Sequence, residues 1–220
     1  MRRDLVIFGT GAFADVLTTY LEQDSGHRVA AYTVDAEHLT SSRFRGRPVL
    51  AFDEVAREFP PASHRMMVAV GVQKVNRLRA ARVAAAEAKG YELASFVSPR
   101  APVPTGLAVG PNTVIMEESL IEPGVTIGAD TIVWPTTRIG YGSRVGDHCW
   151  LVCAALGAEV TVEDFAFLGL NATVAAGLHV GRGAVVGAGA VLLEDAADDA
   201  VYRAARARPS TVPAQRLPRL

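Results

Sequence analysis

Two hydrophobic rhythms divide the chain. Up to about Phe96, short aliphatic runs alternate with segments whose apolar residues recur at helical spacing. Leu5-Val6-Ile7-Phe8 reads as a buried strand closed by Gly9-Thr10-Gly11, and Ala12 to Gln23 puts Phe13, Val16, Leu17, Tyr20 and Leu21 on one helical face. Val29 to Val34 is a second strand ending at Asp35, and Asp53 to Phe59 a short helix stopped by Pro60-Pro61. Met66 to Val70 is a third strand, and Val75 to Lys89 a helix with Gly90 placed to cap it. Strands alternating with helices predict a parallel sheet with crossovers, a small Rossmann-like α/β domain over residues 1–98. The prolines that follow predict a linker over 99–108.

Beyond the linker the rhythm changes to six. Val109, Ile115, Ile121, Ile127, Val133, Ile139, Val145 and Leu151 are spaced by six residues, and Val162, Leu168, Val174, Val180, Val186 and Leu192 resume the step after one coil a residue short. Four places after nearly every aliphatic stands a small or short residue, among them Thr113, Ser119, Thr131, Thr137, Ser143, Cys149, Ala155 and Ala166. The place just after it is often glycine, as at Gly128, Gly140, Gly146, Gly169 and Gly187. Neither a helix nor a plain strand has period six. Six residues make one flat side plus one corner, and three sides close a triangular coil. The aliphatic points inward and stacks on its copies, the small residue fits near the corner, and glycine is expected to give the corner backbone freedom. This predicts an all-β parallel β-helix over 109–196, followed by a tail over 197–220.

Composition removes several function classes. Among 220 residues, 22 Lys and Arg stand against 23 Asp and Glu, a net charge of −1. No positive excess exists to release counterions from a nucleic acid. The longest aliphatic run, Val185 to Leu193, is far short of the roughly 20 residues of a membrane helix. The N-terminus lacks a signal-peptide apolar stretch, so a cytoplasmic location is expected, with no membrane partner. Cys149 and Cys153 are too few for a disulfide framework or a zinc site, and no metal is expected.

The hexads [Leu/Ile/Val]-Gly-x-x-[small]-x resemble those of left-handed parallel β-helix acyltransferases. The order Ile7-Phe8-Gly9-Thr10-Gly11, Val34-Asp35, Val70-Gly71, then hexads, is similar to the sialic acid O-acetyltransferase and bacillosamine N-acetyltransferase family of sugar acyltransferases. The resemblance covers nearly the whole chain. It implies a homotrimer, acetyl-CoA or another acyl-CoA lying between neighbouring β-helices, and a first domain that helps to hold an activated sugar or similar small acceptor. It also exposes a departure. The family's general-base histidine falls where Tyr141 stands, its acidic neighbour where Gly142 stands, and a second histidine near Trp150 or Cys153.

Acyl transfer from a thioester needs a base for the attacking hydroxyl or amine and a donor for the oxyanion. Tyrosine, with an ordinary pKa of about 10, suits orienting a substrate better than accepting its proton. His148 is the histidine nearest the expected site, and it is a candidate base or a corner residue. Cys149 falls on the inward small position. Cys153 should point outward, with no visible group to activate it as a nucleophile. Gly9, Gly11 and Ala12 form a relaxed G-x-G-x-x-A turn that suits a phosphate or merely a tight bend, and Asp35 suits a ribose or solvent. Gln73, Asn76 and Arg77 follow the third strand, on the ligand-binding edge of a parallel sheet, as acceptor contacts. Arg43, Arg45 and Arg47 read as a basic loop, solvated or anion-binding. Gly169, Gly187, Ala188 and Gly189 leave corners bare for a pantetheine arm or simply make tight corners, and Arg203 is placed for CoA phosphates or merely solvent. Asn171 is expected to point into the coil. Two function classes remain: an acyl-CoA-dependent acyltransferase, and a relative that has lost this chemistry and binds or scaffolds, or runs another reaction in the groove between subunits.

Overall fold

The computed structural model describes residues 4–207 and 214–216; Met1 to Arg3 and, of the expected tail, 208–213 and 217–220 lie outside the described residues. The first part contains β1 (Asp4–Phe8), α1 (Ala12–Asp24), β2 (Val29–Val34), β3 (Arg43–Phe44), β4 (Arg47–Ala51), α2 (Val55–Glu58), β5 (His64–Val68), α3 (Arg77–Ala88), β6 (Glu92–Leu93) and β7 (Phe96–Val97). The first six strands form one sheet in the order β3-β4-β2-β1-β5-β6. Every pairing in it is parallel except β3 with β4. The chain leaves β1 toward β2 on one side and reaches β5 on the other. The carboxyl ends of β1, β2 and β5 therefore open a crevice, the ligand-binding place of such sheets. The expected basic loop is the hairpin β3-β4. Two of its three charges are paired, Arg45 with Asp15 and Glu22 and Arg47 with Glu22, while Arg43 donates to the Gly46 carbonyl at 2.9 Å.

The hexads wind into a three-sided parallel prism. One face stacks Leu120–Ile121, Arg138–Ile139, Ala155–Leu156, Thr173–Val174 and Val191–Leu192. The next stacks Thr126–Ile127, Arg144–Val145, Thr161–Val162 and His179–Val180. The third has seven strands. It runs from β7 through Val114–Ile115, Ile132–Val133, Trp150–Leu151, Phe167–Leu168 and Val185–Val186 to Val201–Tyr202. Aliphatics such as Ile121, Ile139, Leu156, Val145, Val162 and Leu151 fill the interior and are buried. At about 1.5–3 kcal/mol for each such side chain, this stack is the main stabilising term of the second part.

The corners obey a rule that the glycines disguise. Asn112, Glu118, Gly124, Asp130, Thr136, Gly142 and His148 have positive φ at steps of six, then Cys153 after five, then Glu159, Phe165, Asn171, Gly177, Gly183 and Gly189 by six. Each turns a corner in the left-handed region. At most of these corners the amide bonds the coil before it, as His148 does Ala129 O at 2.8 Å and Gly142 does Pro123 O at 3.0 Å. The glycines after the aliphatics serve another purpose. A Cβ on Gly140 would lie 2.5 Å from the Gly157 carbonyl, and one on Gly146 2.6 Å from Asp164 Oδ1. They permit close stacking of coils, not an unusual φ, which corrects the expected reason for them. The short side runs from Leu151 to Leu156, so Ala154 rather than Ala155 faces inward there. Asn171 is exposed at its corner and does not point into the coil.

The seven-stranded face is where the two parts meet. Its outward Val114, Ile132 and Trp150 join Phe13, Leu17 and Phe96 in one buried cluster. The Phe13 and Trp150 rings lie 5.0 Å apart, edge to face.

Candidate functional site

The crevice above the first sheet is a cavity of about 380 Å³ lined by Gly9, Thr10, Gly11, Asp35, Gln73 and Arg82, among others. Four sequence candidates, Gly9, Gly11, Asp35 and Gln73, thus share one pocket. Gly9 is required there: φ is +120° and a Cβ would lie 2.6 Å from Ala69 O. Gly11 is the N-cap of α1 and has no side-chain cap, which leaves helix amides open to the cavity. Asp35 is not a free acid, because Arg82 of α3 pairs with it at 2.9 Å. Ala12 begins α1 and, with Asn76 and Arg77, is not part of the lining. Asn76 is buried in the left-handed region and accepts a hydrogen bond from Arg79 at 3.0 Å. Arg77 pairs with Asp199 on the prism at 3.2 Å.

The three catalytic candidates occupy three different edges of one prism coil. Tyr141 lies between Arg138–Ile139 and Arg144–Val145, His148 between Arg144–Val145 and Trp150–Leu151, and Cys153 between Trp150–Leu151 and Ala155–Leu156. A single chain does not bring them together. Tyr141 is 56% exposed. Its amide donates to Glu122 Oε2 at 2.9 Å, while Arg138 donates to Glu122 Oε1 at 2.9 Å. The Arg138 guanidinium, and then the Tyr141 amide, hold the Glu122 carboxyl below its usual range. Beside this edge a shallow groove of about 340 Å³ crosses the five-stranded face, floored by small residues at Gly140, Ala155, Gly157 and Ala158. The short side contributes Ala155 to that floor.

The His148 edge is built differently. His148 Nδ1 lies 2.8 Å from Asp130 Oδ2. Arg79 Nε donates to Asp130 Oδ1 at 2.9 Å, and Asn112 Nδ2 to the same oxygen at 2.6 Å. Arg79 also reaches the Asp130 and Cys149 carbonyls, at 2.8 and 3.3 Å. Both members of the Arg79–Asp130 pair are fully buried. Burial pushes the Arg79 pKa down, and Asp130 pushes back. The His148 ring stacks on Phe165 at 4.8 Å, and the guanidinium groups of Arg77 and Arg182 lie 5.3 and 4.9 Å from the Phe165 ring. Sequence reasoning missed Asp130, Arg79, Asn112 and Phe165.

The third edge carries Cys153, Gly169 and Gly187-Ala188-Gly189, with the exposed Arg203 following the last strand. The cofactor candidates therefore stack beside Cys153, one edge away from the Tyr141 groove. Cys149 points inward, and burial pushes its thiol up to about 12. Trp150, where the resemblance puts a second histidine near, is buried against the first part of the chain.

Comparison with known proteins gives a consistent picture. The family described as hexapeptide repeat of succinyl-transferase matches residues 159–194. The bifunctional protein GlmU of Lactococcus lactis subsp. cremoris is 35% identical over 103 residues, 41% of this chain and 22% of its own length. That of Nitratidesulfovibrio vulgaris is 40% identical over 87 residues, 39% and 19%. The chain thus spans about a fifth of these curated relatives. A solved perosamine N-acetyltransferase mutant from Caulobacter crescentus, in complex with CoA and GDP-perosamine, is 30% identical, with a TM-score of 0.82 over 90% of this chain and 92% of its own. WeeI from Acinetobacter baumannii, 15% identical with a TM-score of 0.71 over 90% of this chain and 95% of its own, shares the fold.

Proposed function

The chain belongs to the hexapeptide-repeat family of sugar acyltransferases, and we propose that it moves an acetyl group from acetyl-CoA to the amine of a sugar linked to a nucleoside diphosphate. The observation that carries this reading is the match, over nine-tenths of both chains, to an N-acetyltransferase solved with CoA and a GDP-linked amino sugar. The crevice over β1, β2 and β5 takes the nucleotide: the amides at Gly9 to Gly11 meet the diphosphate, and Asp35 and Gln73 contact the acceptor. Asn76 and Arg77 support that edge from α3. The prism is left-handed, and three copies associate in the cytoplasm so that edges of neighbouring prisms meet. CoA then lies between them, along Gly169, Gly187, Ala188 and Gly189, with Arg203 toward its phosphates.

An amine fits better than a hydroxyl. Tyr141 replaces the expected histidine, and a neutral amine attacks a thioester with less help than an alcohol needs. The nitrogen lone pair adds to the thioester carbonyl, the tetrahedral oxyanion collapses, and the thiolate of CoA leaves and takes up the proton that the nitrogen gives up. Tyr141, brought in by a neighbouring copy where prism edges meet, orients the acceptor, and Cys153 lines the thioester side. Incubation with acetyl-CoA and UDP-, GDP- or dTDP-linked amino sugars, with CoA and the N-acetyl product followed by chromatography, tests this. Stoichiometric CoA and amide are expected. No product with any of these acceptors, and no thermal shift with millimolar acetyl-CoA, would overturn it. The second reading, binding without transfer, draws on the exposed setting of Tyr141; it requires both ligands to bind and no CoA to appear.

A further inference from the structure

We propose that His148, positioned by Asp130, is the base that takes the proton from the acceptor amine, doing so from an edge other than the one where the resemblance puts a histidine. This rests on the transferase reading above. The geometry assigns every partner of Asp130. Oδ1 accepts from Arg79 and Asn112, which leaves Oδ2 for His148 Nδ1. A carboxylate accepts hydrogen bonds, so Nδ1 carries the proton and Nε2 presents its lone pair. This is the orienting arrangement of a histidine–carboxylate pair in acyl transfer. The carboxylate is fully buried, and the imidazole keeps 21% of its side chain exposed.

Position supports the assignment. α3 serves the acceptor cavity and the histidine at once. Its Leu78 and Arg82 line the cavity, Arg79 holds Asp130, and Arg77 faces Phe165, on which His148 stacks. Tyr141 has no such tie to the acceptor domain among its hydrogen bonds, which run to Glu122 and Glu159. The charged groups around His148 are Asp130, Arg79 behind it, and Arg77 and Arg182 across Phe165, themselves paired with Asp199 and Asp164. In the transfer step the amine nitrogen forms its bond to the acyl carbon and the carbon–sulfur bond breaks. The amine proton passes to Nε2, and the imidazolium, stabilised by Asp130, returns it to the departing thiolate to give CoA.

The test compares His148→Gln, Asp130→Asn and the control His179→Gln, an exposed prism histidine paired with Glu163. In His148→Gln, kcat is expected to fall about 10²–10⁴-fold with little change in the acceptor KM. The part of the wild-type loss of kcat on acidification that exceeds protonation of the acceptor amine itself should disappear. Asp130→Asn should lower kcat and shift that acid limb, and His179→Gln should change neither. Circular dichroism melts and the acceptor KM establish that each variant is folded. Should Asp130→Asn not fold, His148→Gln and its pH profile decide alone. A His148→Gln enzyme within twofold of wild type, acid limb intact, overturns the base while leaving the transferase. An inactive wild type removes both.

Discussion

Tyr141 and His148 stand seven residues apart at two corners of one coil, yet their surroundings have little in common. Tyr141 is held by its backbone, while its ring stands in solvent. His148 is held by its side chain, against a carboxylate that a buried arginine and a buried asparagine fix in turn. The prism alone gives both corners the same conformation: Gly142, next to Tyr141, and His148 are the positive-φ residues of their corners. The difference comes from docking. α3 reaches one edge only, and its burial of Arg79 turns that edge into a fixed polar site. A repeat supplies equivalent positions, and a neighbouring element decides which of them becomes preorganised.

The largest expected effect breaks the better-built edge. Arg79→Met leaves Asp130 buried without its cation, and unfolding stability measured in urea should drop by about 3–5 kcal/mol. Arg79→Met combined with Asp130→Asn should recover part of that loss, because no orphaned charge remains and asparagine tolerates the left-handed corner. Glu122→Gln, on the exposed edge, should leave the urea midpoint close to wild type. Equal losses from Arg79→Met and Glu122→Gln would erase the contrast between the edges.

A smaller effect separates two kinds of glycine. Gly140→Ala and Gly146→Ala push a methyl into the backbone or the carboxylate of the next coil, and each should cost about 1–3 kcal/mol. Gly177 has φ +74° and nothing within 4 Å of a new Cβ, so Gly177→Ala should cost about 1–2 kcal/mol through conformation alone. Urea titrations of the three variants, with crystal structures to show whether the coils part, check the division.

What was legible in the sequence follows from what repeats. The inward aliphatics recur at six because each coil asks the same of them, so the prism was readable from Val109 onward. Gly9, Gly11 and Asp35 were readable because a strand followed by a glycine turn has a known consequence. The role of the hexad glycines was not, since the distance between stacked coils leaves no mark apart from the residue itself. Asp130 was missed because its partner Arg79 lies 51 residues away, on another element. One signal existed. Arg79 shares a helical stripe with the buried Val83 and Ala86, and an arginine on an apolar stripe demands a buried acceptor. The place of the short side was ambiguous for a different reason: Ala154 and Ala155 are the same residue, and only the stacking of Leu156 decides which faces inward.

The third edge supplies the smallest expected effect and extends the comparison. Cys149 and Cys153 are four residues apart on either side of the Trp150–Leu151 strand, one inside the prism and one at its corner. Burial raises the Cys149 thiol from an ordinary 9 to about 12. A folded-state pKa above the unfolded one gives stability that is whole below about pH 9 and is lost as the pH climbs toward 12. At pH 8 the inner thiol is therefore almost wholly protonated and shielded, while Cys153 is partly exposed. A disulfide reagent such as dithiobisnitrobenzoate should label one thiol per native chain and a second only in denaturant. Cys153→Ser should abolish the native label, and Cys149→Ser should retain it. The opposite result would put the corner one residue away from where the five-residue side places it, and with it the floor that Ala155 gives to the groove beside Tyr141.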